Sequence, residues 1–240
     1  MDRYSGYILI DKPKGWTSFD VVAKTRSYAK KALLEAGVPA GQTAPKRVKV
    51  GHTGTLDPLA TGLLVILIGK YTKRATELTK LDKTYEVTMK LGETSTTADE
   101  EGQKSPGSPR QVGREELEAV MQRYVGDIMQ TPPAFSAMKI DGQRAYKLAR
   151  EGKEVALEPR PATIHQLAIT GYDYPFVRFT AAVSSGTYIR SLVEDIGRDL
   201  QTGAYMSDLR RTKVGKFTID GAIGIDELNP QVLTGRLRQL

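Results

Sequence analysis

The order of hydrophobic patterns along the 240 residues predicts a mixed α+β fold with antiparallel strands. Three observations lead there. Short alternating or purely apolar runs recur through the chain, they do not alternate regularly with helices as βαβ units would, and the pair Asp141-Gly142 joins two short runs directly, as in a tight hairpin.

Taken in order, Tyr7 to Ile10 reads as a short strand, followed by a turn on Lys12, Pro13 and Gly15. A helix follows, with Thr17 or Ser18 as its cap, Asp20 at its positive end, and Phe19, Val22, Ala29, Leu33 and Ala36 at helical spacing as far as Gly37. A basic loop spans Val38 to Lys49, and "LLVILI" at Leu63 to Ile68 suits a buried strand. In "TYEVTMKLG" the residues Tyr85, Val87, Met89 and Leu91 share one face of a half-buried strand. Glu93 to Gln111 is polar and reads as loop; "GREELEAVMQRYVG" reads as a short amphipathic helix. Strands are expected at Ile164 to Thr170 and Val177 to Val183, then the helix "TYIRSLVEDIGRDL" and a basic strand around "LRRTKVGKFTI".

Bulk composition narrows the partners. A chain of this length with 40% hydrophobic residues can bury one substantial core, so one domain with an elaboration is expected. Thirty-five Lys and Arg against 28 Asp and Glu leave a formal charge of +7, which favours polyanions, although a solvated basic face would give the same number. With no Cys, thiol catalysis, disulfides and Cys-based zinc sites are excluded, and His52 and His165 have no metal-ligand spacing. "LLVILI" is too short to span a bilayer and the N-terminus has no signal-peptide core, so a soluble cytoplasmic protein is expected.

The chemically informative stretch is "GHTGTLDPLATGLLVILIG", residues 51 to 69. Gly51, Gly54 and Gly62 surround a single carboxylate, Asp57, with an apolar strand just after, so a ligand-facing loop would be anchored by the core. The competing structural reading is that Asp57 caps a helix whose first residue is Pro58. A phosphate-binding loop is ruled out, because six residues rather than four separate Gly62 from Gly69 and Tyr71 follows Lys70. Farther on, Lys139, Arg144, Lys147 and Arg150 interleave with Phe135 and Tyr146, a basic-aromatic hairpin suited to RNA unless its aromatics pack inward.

"GHTGTLDPLATGLL" closely resembles the catalytic motif of the TruB family of tRNA pseudouridine synthases. Further blocks match in order: "LIDKPKGWTS", "KTYEVTMKLGETSTTADEEG", "QTPPAFSAMKIDGQRAYKLAREG", "SSGTYIRSLVEDIG" and "LRRTKVGKF". The resemblance runs from Gly6 to about Leu228 and implies an α+β pseudouridine-synthase-like catalytic domain over residues 1–240, with a central mixed, mainly antiparallel sheet flanked by helices and a protruding thumb insertion at about 129–153. It implies isomerisation of uridine to pseudouridine at position 55 in the T loop of tRNA, on a flipped-out base. Asp57 would be the catalytic aspartate, Tyr85 the aromatic against the target base, and Arg190 the partner of the Asp57 carboxylate. His52 would contact RNA beside the extruded nucleotide, Leu209 would line the uracil pocket, and Lys12 and Pro13 would support the catalytic loop. Lys139, Arg144 and Lys147 fall in the thumb that grips RNA.

The residues themselves leave other readings beside these. Tyr85 lies on the apolar face of its strand, as a plain core aromatic would. Arg190 falls in the first turn of a helix that Thr187 can cap, where a cation opposes the helix dipole; a carboxylate from elsewhere would explain it, as would exposed pairing with Glu194. His52 could be an ordinary loop residue. The implied reaction involves no net redox change and no group from solution, so no metal, nucleotide or other cofactor is expected. The implied partner is the T stem-loop of tRNA, met by a monomer without a protein partner. Many family members carry a C-terminal PUA domain, whereas this sequence ends at Leu240 without one, so RNA binding is expected to rest on the catalytic domain and thumb. A noncatalytic RNA-binding or RNA-folding protein and the guide-RNA-dependent branch of the superfamily are the alternatives; intact Asp57, Tyr85 and Arg190 and the thumb motif favour the stand-alone enzyme.

Overall fold

The computed structural model describes residues 5–36, 48–136, 138–140, 142–153, 155 and 157–239. In chain order the elements are β1 (Gly6–Lys12), α1 (Ser18–Glu35), β2 (Val50–His52), β3 (Thr61–Ile68), a 3₁₀ helix (Gly69–Arg74), α2 (Ala75–Thr79), β4 (Lys83–Leu91), β5 (Glu93–Ser95) and β6 (Lys104–Pro106). There follow α3 (Arg114–Gln122), β7 (Gly126–Gln130), β8 (Lys139–Ile140), β9 (Gln143–Arg144), α4 (Ala145–Arg150), β10 (Arg160–Asp173), β11 (Phe176–Val183) and α5 (Ile189–Asp199). Last come β12 (Ala204–Val214), β13 (Phe217–Thr218), a 3₁₀ turn (Ile219–Gly221), β14 (Ile223–Gly224) and α6 (Pro230–Arg236). This is the expected α+β class with mixed pairing, and the chain divides into two compact units.

The first unit holds residues up to Lys83 and from Arg210 onward. Its strands run β14–β1–β3–β12: β1 is parallel to β14 and antiparallel to β3, and β3 is parallel to β12 through Arg210↔Thr61 and Arg211↔Gly62. The apolar run of β3 is continuous because both of its faces are buried. Leu64, Ile66 and Ile68 pack with Ile8 and Ile10 beneath Val21, Val22 and Ala29 of α1, while Leu63, Val65 and Leu67 pack with Tyr7, Leu9 and Phe217 on the other side.

Helix α1 starts where the sequence predicts, in a capping box: the Thr17 hydroxyl accepts from Asp20 N at 3.1 Å and the Asp20 carboxylate accepts from Thr17 N at 2.9 Å. Its buried stripe runs through Ser18, Val21, Val22, Thr25, Ala29 and Ala32, so Phe19, expected on that stripe, is instead 68% exposed. Ser18 takes the inward place because its hydroxyl bonds the Leu56 backbone. Most of the Val38–Lys49 segment lies outside the described residues.

The second unit spans Thr84–Leu209, with strands in the order β12–β4–β11–β10–β7. Alternation in β4 buries Tyr85, Val87, Met89 and Leu91, as expected. β10 and β11 form a long antiparallel hairpin, and β7 pairs antiparallel with the start of β10. The 93–111 stretch, expected as loop, contains the short β5–β6 hairpin. α5 buries Leu192, Val193 and Ile196. Its N-cap is Tyr188 rather than Thr187, whose hydroxyl is turned back to Ser184 O at 2.9 Å; the Gln130 amide holds the Tyr188 backbone, accepting from its N at 2.8 Å and donating to its O at 3.0 Å. No helix among the described residues is long and apolar enough to cross a membrane.

Candidate active site

In the first unit, the 53–60 segment leaves the short strand β2 and enters β3. No helix begins at Asp57, so the helix-cap reading of that residue falls; Ala60 N donates to Asp57 O at 3.1 Å to close a turn, and the chain then extends into β3. Every backbone neighbour of Asp57 is held by a group from another element. Leu56 is gripped at both polar atoms by the Ser18 hydroxyl, which donates to its O at 3.0 Å and accepts from its N at 2.8 Å. Pro58 O accepts from Gly15 N at 2.8 Å and from Lys12 Nζ at 3.4 Å. Thr55 O and Gly54 O accept from the two terminal nitrogens of Arg211 at 3.3 and 3.1 Å, and Arg211 Nε donates to Leu63 O at 2.8 Å.

Register explains how Lys12 and Arg211 come to flank the loop. Lys12 of β1 and Arg211 of β12 both lie opposite Gly62 of β3, one on each side. Gly62 has φ +100, and a Cβ there would collide with the Arg211 backbone, so only glycine lets the three strands close. The preceding residues, Asp11 and Arg210, point to the opposite face and form a bidentate pair at 2.6 and 3.1 Å.

The electrostatics are lopsided. Lys12 (0% exposed), Arg211 (1%) and Lys83 are buried in this unit, whereas none of its described carboxylates is. Burial pushes Lys12 down to about 8, opposed by the charge of Asp57 and assisted by Arg211. Burial and then Arg211 likewise push Lys83 down to about 8; its ammonium donates to Thr79 O at 2.5 Å. Half-buried Asp57 therefore lies beside a cationic interior, a setting that attracts anionic ligands. His52 Nδ1 accepts from Gly54 N at 3.2 Å, and burial followed by Arg211 lowers its pKa, so the neutral ring carries its proton on Nε2. Pro13 contributes its carbonyl, 3.0 Å from Lys12 Nζ.

In the second unit, Arg190 is 7% exposed and pairs with Asp99 at 3.4 Å, which removes the reading of a surface arginine serving Glu194. It also donates to Thr97 O at 3.3 Å and Phe135 O at 2.9 Å, while Ser191 Oγ donates to Thr131 O at 2.8 Å. The start of α5 is thus tied to the backbone of the 131–135 segment. Asp99 is fixed in turn by the Thr97 hydroxyl at 2.5 Å and Glu101 N at 3.1 Å. A cleft of about 420 Å³ beside these groups is lined by Thr97, Phe135, Ser191, Glu194 and Asp195 among others, and burial raises the pKa of both acids. Tyr85 and Leu209 are buried in this unit. Lys139 and Arg144 pair across the β8–β9 hairpin, and Lys147 is exposed on α4.

Sequence reasoning missed Ser18, Lys83, Asp99 and Arg211. Asp99 and Arg211 stand inside the blocks "TTADEEG" and "LRRTKVGKF", but Asp99 is one of three successive acids and Arg211 one of two successive arginines, so composition could not single them out.

Residues 42–189 match the model of the TruB family pseudouridylate synthase N-terminal domain, and residues 190–239 that of the tRNA pseudouridylate synthase B C-terminal domain. A tRNA pseudouridine synthase B of Stutzerimonas stutzeri is 45% identical over 224 residues, 93% of this chain and 68% of that protein. Another, of Parabacteroides distasonis, is 41% identical over 231 residues, covering 95% of this chain and 94% of its own length. Among solved structures, a chain of a Cbf5-Nop10-Gar1 complex superposes with a TM-score of 0.67 at 30% identity, covering 93% of this chain and 53% of that one. A chain of an H/ACA RNP bound to a substrate RNA containing 2′-deoxyuridine gives 0.64 at 28%, covering 93% and 52%. This chain spans about half the length of those solved chains.

Proposed function

The chain belongs to the TruB family of pseudouridine synthases, and from that membership we propose that it isomerises uridine to pseudouridine at position 55 in the T loop of tRNA, with Asp57 as the catalytic carboxylate. The observation that carries the assignment of Asp57 is the loop itself: residues 54, 55, 56 and 58 are each fixed through backbone atoms by buried side chains, which sets the backbone that carries the loop's single carboxylate.

The reaction breaks the N1–C1′ bond and forms a C5–C1′ bond. The proton on C5 leaves to solvent and N1 takes one up, so atoms and electrons balance within the nucleoside and water. An ionised carboxylate can act as nucleophile at the sugar or base carbon, or as base toward a proton. Tyr85 is assigned to the target base, Leu209 to the uracil pocket, and Arg190 is the cation that the family pattern pairs with the carboxylate. His52 would offer Nε2–H to RNA beside the flipped nucleotide. The thumb residues Lys139, Arg144 and Lys147 would meet phosphates, where a positive charge needs no particular base. Identity of 41–45% to proteins named tRNA pseudouridine synthase B, against 27–30% to the Cbf5 and H/ACA RNP chains, favours an enzyme acting directly on tRNA over the guide-RNA-dependent branch.

The test is tritium release from C5-labelled uridine in an unmodified tRNA transcript, with EDTA present and no nucleotide added. Wild-type protein is expected to release one tritium per tRNA. Asp57→Asn should bind the transcript normally, keep its thermal stability because no helix depends on that residue, and release none. Turnover above a few percent of wild type in Asp57→Asn would sink the assignment.

A further inference from the structure

We infer that Arg211 is a positioning residue for the reaction, whose guanidinium sets the backbone of the Asp57 loop; this rests on the reading of Asp57 as the catalytic carboxylate.

Arg211 is among the largest fully buried side chains of the molecule, and its three guanidinium nitrogens reach three main-chain carbonyls on both flanks of Asp57. Two of these, Gly54 O and Thr55 O, lie in the loop; the third, Leu63 O, lies in the core strand β3. The planar fork therefore ties the loop to the most buried strand of its unit in a geometry that a single ammonium cannot reproduce. A purely structural solution would be apolar here, because burying a guanidinium costs more than burying a hydrocarbon of the same volume. Methionine could fill the volume, and a shorter loop could dispense with the carbonyls.

The loop's own sequence makes the clamp necessary. Gly54 has φ +136, a region that an L side chain rarely adopts, and a Cβ there would lie 3.6 Å from Arg211 Nη1 and 3.8 Å from Lys83 Cε. With glycine at 54 and no helix or strand at 55–57, the segment has little local preference for one conformation. Lys12 and Ser18 hold the C-terminal half of the turn, through Pro58 and Leu56. Arg211 holds the N-terminal half, so Asp57 sits between two independent clamps.

Two variants test this. Arg211→Met fills the site without charge or donors; Arg211→Lys keeps the charge and loses the fork. Each is assayed for tritium release under single- and multiple-turnover conditions, for transcript binding, for thermal unfolding, and for amide exchange at residues 53–60 against β3. The expected result for Arg211→Met is a kcat about 100-fold lower, the effect of a reacting group displaced by about 1 Å, with KM and binding within about threefold of wild type. Exchange should accelerate in 53–60 and stay slow in β3. Arg211→Lys should fall between. A merely structural arginine would instead give kcat losses that track the unfolded fraction and recover at lower temperature. That pattern overturns the proposal, as do an Arg211→Met kcat within about threefold of wild type, a loss confined to KM, or failure of both variants to fold. Wild-type protein that releases no tritium would sink the pseudouridine reading, while the exchange data still decide whether Arg211 clamps the loop.

Discussion

Replacing Lys12 by methionine separates the charge beneath the Asp57 loop from the hydrogen bonds that shape it. The Lys12 ammonium is fully buried, donates to Trp16 O at 2.7 Å and Pro13 O at 3.0 Å, and reaches Pro58 O at 3.4 Å. Burial lowers its pKa from 10.5 to about 8. At about 1.4 kcal/mol per pKa unit, keeping it protonated in the folded state costs about 3 kcal/mol near neutrality. Methionine removes that cost but also two short charge-assisted bonds, each worth about 1.5–3 kcal/mol. The two effects oppose each other, so stability at pH 7 should fall by no more than about 3 kcal/mol. The pH dependence tells them apart. Because the folded pKa lies below the unfolded one, the unfolded chain binds more protons between pH 8 and 10.5, and stability rises with pH through that window. Lys12 alone should add about 2 kcal/mol between pH 7 and 9.5. Urea unfolding at those two pH values measures the increment in wild type and in Lys12→Met, with Lys83 contributing its own similar increment to both. Equal increments in the two proteins would show that the Lys12 ammonium is solvated, and the account of a cationic interior behind Asp57 would be wrong.

Three further outcomes are expected. Asp99→Asn removes the carboxylate 3.4 Å from a buried guanidinium, so it should cost about 3 kcal/mol, read as a melting temperature lower by about 6–12 °C; an unchanged value would mean that the pair contributes nothing. Gly62→Ala should leave little folded protein at 37 °C, since its Cβ meets the Arg211 backbone at a φ of +100, and a soluble variant with wild-type melting would contradict the three-strand register. Neutralising Arg144 and Lys147 together should make the plot of log binding constant against log salt shallower by about 1 to 2, while an unchanged slope would remove these two residues from the RNA interface.

Much of the fold could be read from local pattern. The period of 2 in β4, the capping box Thr17–Asp20 and the apolar run of β3 are properties of a few adjacent residues, and each element forms where its pattern says. Where a local signal had a nonlocal competitor, the structure chose otherwise. Asp57-Pro58 has the form of a helix start, but the Ser18, Lys12 and Arg211 side chains satisfy the surrounding backbone groups, so no helix is needed. Thr187 has the form of an N-cap, but its hydroxyl donates to Ser184 O and the helix starts after Tyr188, whose backbone is held by Gln130, 58 residues before it. Phe19 fits the helical stripe, but Ser18 has the better partner in Leu56.

The sequence by itself determined the α+β class, the family and the glycine-rich loop with its one carboxylate, because each of these is written in contiguous motifs. Only the tertiary structure decided which charged groups are buried and what they hold. Arg190 was legible as a candidate, but its partner Asp99 lies 91 positions away, and Lys12 and Arg211 become neighbours of the Asp57 loop only because β1 and β12 both register on Gly62. A buried cation cannot be told from a solvated one by residue type. The difference lies in which strands close around it and in the carbonyls that they bring, and strand register is a property of the whole sheet.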